Sequence, residues 1–138
     1  MQRRMLKSKI HGATVTDAEV AYEGSVTIDA DLMDAADLAE FEEVAIWDLS
    51  TGARLTTYVI AGPRGLGTVT INGAAAHLVK RGDAVIVSSF ATLDEQELAD
   101  FAARKVFVDG RNRIIRTVLA GPCDGAGAED GAAGAEVC

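Results

Sequence analysis

Aromatic residues make up only 5% of this 138-residue chain. Its core must therefore be assembled mostly from Val, Ile, Leu and Ala. Cysteine is scarcer still: Cys123 and Cys138 are the two present, both late in the chain. That excludes a disulfide framework and leaves no zinc ligand set, and no other cluster suggests a metal. Basic residues are outnumbered, 13 Lys and Arg against 21 Asp and Glu, for a formal net charge of -8. Nucleic-acid binding, which wants a basic surface, is disfavoured. No apolar run is long enough to span a membrane, and none at the N-terminus reads as a signal peptide. A cytoplasmic location is the expectation, with neither membrane nor nucleic acid as partner.

What is present is ordinary for one globular domain: 49% hydrophobic and 25% charged residues, in a chain long enough to bury a core. The charge is uneven. Arg3, Arg4, Lys7 and Lys9 make the start basic, whereas Asp124, Glu129, Asp130 and Glu136 lie in a last stretch without Lys or Arg. Residues 120–138 are Gly, Ala and acidic residues that cannot bury enough surface to offset their ordering entropy. They are expected to form a disordered tail without a catalytic role, behind a folded domain over residues 1–119.

Within that domain many short β-branched runs alternate with turn signals. Met5 to Val15 reads as a strand, Asp17-Ala18-Glu19 as a turn or short helical start, and Val26-Thr27-Ile28 as a strand. Asp29 or Asp31 can cap a helix through Leu32, Met33, Ala35, Ala36 and Leu38. Val44 to Trp47 and Arg54 to Ile60 read as a hairpin. Further strands are expected at Thr68 to Ile71, Ala84 to Phe90, Lys105 to Val108 and Ile114 to Leu119, with a short acidic helix at Asp94 to Phe101. The pattern predicts a mainly β, barrel-like fold with short helices.

Tyr22-Glu23-Gly24-Ser25 is the stretch with the most distinctive chemistry. Gly24 has no side chain to shield its carbonyl and tolerates strained backbone angles. The Ser25 hydroxyl lies one peptide bond away. In a strained turn Oγ can attack that carbonyl and shift the acyl group from nitrogen to oxygen. β-Elimination and hydrolysis then leave a pyruvoyl group at a new N-terminus. The bland alternative is an ordinary Gly-Ser turn. Lys9 and His11, two apart on a strand, share one face; they form either a solvated edge or a basic pair aimed at an anion.

Four segments in order add weight: Met5-Leu6-Lys7-Ser8-Lys9-Ile10-His11, Tyr22-Glu23-Gly24-Ser25, Gly52-Ala53-Arg54-Leu55-Thr56-Thr57-Tyr58 and Asn72-Gly73-Ala74-Ala75-Ala76-His77. With Gly82-Asp83, they resemble the pyruvoyl-dependent L-aspartate 1-decarboxylases over residues 1–119. The resemblance implies a double-psi β-barrel, self-cleaved after Gly24 into residues 1–24 and 25–138. It also implies a homotetramer with active sites between subunits. It implies the conversion of L-aspartate to β-alanine and carbon dioxide for pantothenate and coenzyme A biosynthesis. The cofactor would be a covalent pyruvoyl group made from Ser25, which forms a Schiff base with the substrate; no metal and no pyridoxal phosphate would be required. Gly12, where relatives often carry a basic residue, is a departure.

The resemblance also assigns roles. Gly24, Ser25 and Thr57 belong to processing, the Thr57 hydroxyl stabilising the oxyanion at Gly24. Tyr58 is the proton donor. Arg54 and Lys9 are cationic candidates for the substrate carboxylates. Thr57, Asn72, Gly73, Ala74 and Ala75 line the substrate, and His11 and Tyr22 shape the pocket. Each has a plainer reading: hairpin arginine, surface lysine, strand aromatic, strand threonine, and for Asn72 a helix N-cap. Thr57 and Tyr58 are neighbours in one strand and face opposite sides, so a site using both needs a local bulge or a second subunit. Two other readings stay open: an uncleaved, non-catalytic small-molecule-binding barrel, and a hydrolase that uses a freed Ser25 terminus as nucleophile. A maturation partner is left open.

Overall fold

The computed structural model describes residues 1–121. Nine strands carry the architecture: β1 (Arg3–Thr14), β2 (Asp17–Glu19), β3 (Ser25–Asp29), β4 (Glu43–Asp48), β5 (Arg54–Gly62), β6 (Val69–Asn72), β7 (Ala84–Leu93), β8 (Ala103–Val108) and β9 (Ile114–Ala120). Two short helices, α1 (Ala30–Ala35) and α2 (Glu95–Ala99), and a 3-10 turn at Gly73–His77 complete it. The strands pair in the order β2-β6-β3-β5-β4-β7-β1-β8-β9. β1 with β8, β2 with β6 and β3 with β5 run parallel; the other pairs are antiparallel.

Alternation explains the core. Val26 and Ile28 on β3, Val44 and Ile46 on β4, and Ile10 on β1 are buried almost completely, with half-buried neighbours between them. Packing β-branched chains on the inward face of each strand suits a sequence poor in aromatics.

Long-range polar ties join distant segments of the chain. Thr16 at the end of β1 donates its amide to the Val69 carbonyl on β6 (2.8 Å), and its hydroxyl accepts from the Val69 amide (3.0 Å). Asn112 is buried at a left-handed φ of 61°. It accepts from the Thr14 amide (2.8 Å) and donates to the carbonyls of Thr14 (2.9 Å) and Gly67 (2.7 Å). One side chain thus satisfies three backbone groups from two distant segments, which nothing in the local sequence announced.

Asp29 caps α1, accepting from the Asp31 amide at 2.8 Å, and also accepts from the amides of Gly65 (3.1 Å) and Gly67 (2.8 Å). Burial alone would raise its pKa; these N–H groups, helped by Arg64, outweigh burial and hold it below the usual carboxylate value. Asp94 and Glu97 form a reciprocal capping box on α2.

Two expectations need correction. Asp17–Glu19 is a strand, because it pairs in parallel with Thr70 to Asn72; no local propensity reveals a partner fifty residues away. The first helix stops at Ala35, short of Ala36 and Leu38, as Asp37 turns left-handed at φ 52°. The expected tail lies outside the described residues apart from Ala120 and Gly121.

Candidate active site

Ser25 opens β3 and is fully buried, while Gly24 before it is exposed. The antiparallel register of β3 and β6 sets Ser25 directly opposite Asn72. The Asn72 Nδ2 lies 3.0 Å from Ser25 Oγ and 3.1 Å from Thr27 Oγ1, donating to both. Asn72 does occupy the N-cap position of the 3-10 turn, yet its side chain makes no capping bond. The plainer N-cap reading therefore fails: the amide is committed to the serine.

Gly73 comes next, with φ of 74°. A Cβ on it would stand 2.6 Å from Gly24 Cα, 2.7 Å from Gly24 N and 3.0 Å from the Tyr22 carbonyl oxygen. Only glycine allows this approach. Gly24 itself has no left-handed angle; the unusual backbone belongs to the residue pressed against it. Ala74 and Ala75 continue the turn, the first exposed and the second half-buried against the core. Tyr22, 65% exposed, borders an open cleft of about 420 Å³ whose walls include Thr27, Thr70, Asn72, Asp17 and Glu19. Water can reach the serine's surroundings through it.

On the other side, β5 runs parallel to β3 with Val26 paired to Val59. Thr57 and Tyr58 immediately precede Val59 on β5, as Gly24 and Ser25 precede Val26. Tyr58 is half-buried and packs on Phe41, ring centroids 6.3 Å apart. The β4–β5 register runs unbroken from Glu43↔Tyr58 to Trp47↔Arg54. No bulge turns Thr57 and Tyr58 to the same side, so that way of serving one pocket with both is removed.

Arg54, Lys9 and His11 lie elsewhere. Arg54 stacks on its cross-strand neighbour Trp47, guanidinium carbon 4.8 Å from the ring centroid. The same row continues through Ile86, His11, Phe107 and Arg116 on successive strands. Arg116 sits 4.4 Å over Phe107, whose ring is 5.6 Å from that of His11. Lys9, in register with Ser88 and Lys105, belongs to the same face. β1 is four strand positions from β3, about 19 Å at the usual spacing. The described residues thus form two groups: Ser25 with Asn72, Thr27 and Gly73, next to the β5 strand of Thr57 and Tyr58, and a cationic, aromatic-backed face with Arg54, Lys9 and His11. Trp47, Phe107, Lys105 and Arg116 were not anticipated; only the register brings them beside the anticipated residues.

Asp48 at the end of β4 and Asp83 just before β7 form a carboxyl pair. Asp48 is buried and accepts from the amides of Ser50 (2.8 Å) and Thr51 (3.0 Å). Burial, and the neighbouring Asp83 carboxyl, raise the Asp48 pKa; the hydrogen bond from Asp48 lowers that of Asp83. The two carboxyls are thus driven apart in pKa, Asp48 upward and Asp83 downward.

A family model described as aspartate decarboxylase matches residues 1–115. The chain belongs to the aspartate decarboxylase family. These are pyruvoyl-dependent carboxy-lyases (EC 4.1.1.11) that convert aspartate to β-alanine for pantothenate synthesis. The mainly β architecture with few short helices agrees with membership. Among the described residues, no group of three or more His, Cys, Asp or Glu is placed to hold a metal ion, and no helix is long and apolar enough to cross a membrane.

Proposed function

We propose that this decarboxylase cuts its own chain between Gly24 and Ser25, makes its pyruvoyl group from Ser25, and acts on L-aspartate in the cytoplasm as a homotetramer of double-psi barrels. The observation that carries the reading is the buried Ser25 Oγ, held by Asn72 Nδ2 at 3.0 Å, with Gly73 lacking the Cβ that would clash with the Gly24 backbone. A pyruvoyl group at this position suits the surroundings, since the amide donor and the glycine cradle are already in place.

In maturation, Ser25 Oγ is the nucleophile and the Gly24 carbonyl the electrophile. Thr57, two residues before the Val59 that pairs with Val26, is assigned to the carbonyl oxygen as it gains charge. In turnover, the pyruvoyl group supplies an electron sink for the departing carboxylate's electrons. The residues of the chain bind, orient and move protons. Tyr58 donates a proton at the substrate α-carbon. Arg54 and Lys9 hold substrate carboxylates, the guanidinium kept flat by its stack on Trp47. Asn72 and the backbone of Gly73, Ala74 and Ala75 line the reacting end, and Tyr22 and His11 shape the pocket.

The separation of Arg54 and Lys9 from Ser25 within one subunit supports an intersubunit site. The regular β5 strand supports it too, because Thr57 and Tyr58 face opposite sides. Exposed apolar residues on β9, Ile115 at 64% and Leu119 at 62%, suit burial between copies. The test is Ser25→Ala, which should leave one uncut chain without decarboxylase activity. Normal turnover by that variant refutes the proposal. An uncut wild-type chain favours the non-catalytic barrel, and a cut chain with a free serine terminus favours the hydrolase.

A further inference from the structure

We infer that Thr27 is a positioning residue for chain cleavage, acting through Asn72; the inference rests on the proposed Ser25 chemistry. One amide nitrogen serves two hydroxyl oxygens, Ser25 Oγ at 3.0 Å and Thr27 Oγ1 at 3.1 Å. Ser25 and Thr27 are two apart on β3, so they share a face, and Asn72 stands opposite Ser25 on β6. The carboxamide has two N–H bonds in one plane. With one directed to Thr27, the other is directed to Ser25. Without the Thr27 oxygen the amide is free to turn toward the open cleft and water.

The donor matters because charge develops on the same oxygen twice. In the first step Ser25 Oγ loses its proton and bonds the Gly24 carbonyl carbon. The Gly24–Ser25 C–N bond breaks, and the nitrogen takes up a proton to become an amine. In the second step a base removes the Ser25 Cα proton and the Cβ–Oγ bond breaks. Oγ then leaves as one oxygen of the Gly24 carboxylate. The dehydroalanine tautomerises to an imine, and water entering by the cleft releases ammonia and leaves the ketone. An N–H fixed on Oγ stabilises the alkoxide character of the first step and the leaving carboxylate of the second. Thr27 also has a packing role, since its Cγ2 lies 3.0 Å from where a Gly62 Cβ would stand. A substitution must therefore separate the hydroxyl from the methyl.

Thr27→Val keeps the shape and removes the oxygen; Thr27→Ser keeps the oxygen. Freshly translated full-length chains are followed by intact mass over time, with urea midpoints measured on the Ser25→Ala background, where no cleavage intervenes. Losing the orienting bond should slow cleavage about tenfold in Thr27→Val, at an unchanged midpoint. Thr27→Ser should mature at close to the wild-type rate. Hydroxylamine, which traps the ester as a Gly24 hydroxamate, should give less trapped product in Thr27→Val. Wild-type kinetics in Thr27→Val overturn the inference, as does a Thr27→Ser variant as slow as Thr27→Val. Should Thr27→Val lower the midpoint, Thr27→Ala set against Thr27→Ser carries the same comparison. A wild-type chain that never splits at Gly24 overturns the Ser25 reading itself, and the inference with it.

Discussion

Replacing Gly73 with alanine adds one methyl group at the point where the 3-10 turn meets Gly24. That methyl would sit 2.6 Å from Gly24 Cα and 2.7 Å from Gly24 N. Both neighbours are backbone, so no side chain can swing aside. Opening 2.6 Å to an ordinary 3.4 Å contact moves one segment by about 0.8 Å. The φ of 74° adds a penalty for any residue with a Cβ, about 1 kcal/mol. Global stability should fall by only about 1–2 kcal/mol, because Gly24 is exposed and can retreat. Cleavage should suffer far more: a displacement approaching 1 Å at a reacting carbonyl costs about 100-fold in rate. Intact mass against time measures the cleavage, and urea unfolding the stability. Gly73→Ala chains that split at the wild-type rate refute the idea that this contact positions Gly24. A collapse of stability shows that the cost is structural.

Arg54→Lys should mature normally, because Arg54 lies four residues from Tyr58 along β5, about 13 Å from the cut; the loss of paired hydrogen bonds should raise KM for aspartate about tenfold, and an unchanged KM removes Arg54 from the substrate site. Asp48→Asn should be stabilising at pH 7 by about 1 kcal/mol, since it removes a buried acid beside the Asp83 carboxyl and its amide can donate to that carboxyl. The sign follows from the raised Asp48 pKa: the folded state holds this proton more tightly than the unfolded one, so the charge costs stability above the folded pKa. The gain should fade as pH falls through the ordinary carboxylate range, where wild-type Asp48 becomes protonated in both states; a gain that persists in acid contradicts a raised Asp48 pKa. Asn112→Ala strands three backbone groups and should lower stability by about 3 kcal/mol in urea unfolding; a loss under 1 kcal/mol would mean that water replaces the amide.

Strands built on β-branched runs were legible, because Val26 to Ile28 and Val44 to Trp47 carry their period in their own residues. So was a cap at Asp29 or Asp31, of which Asp29 makes the bond. Asp17–Glu19 was not, since its strand character comes from pairing with β6. Nor was Asn112, whose role exists only where Thr14 and Gly67 converge. The Gly24–Ser25 motif could be named from sequence, but a cap and a serine donor look identical at Asn72 until the register with Ser25 is known. The grouping of Arg54 at the start of β5 with Lys9 and His11 on β1 likewise depends on strand order and register. Thr57 and Tyr58 were correctly expected to point apart, and the regular strand leaves the intersubunit explanation standing.

Intact-mass measurement of freshly purified protein tests the central claim most directly. The account predicts two chains split between Gly24 and Ser25, the longer one lacking its terminal amine and reacting with a hydrazide. A single uncut chain, or a long chain ending in an ordinary serine, contradicts it.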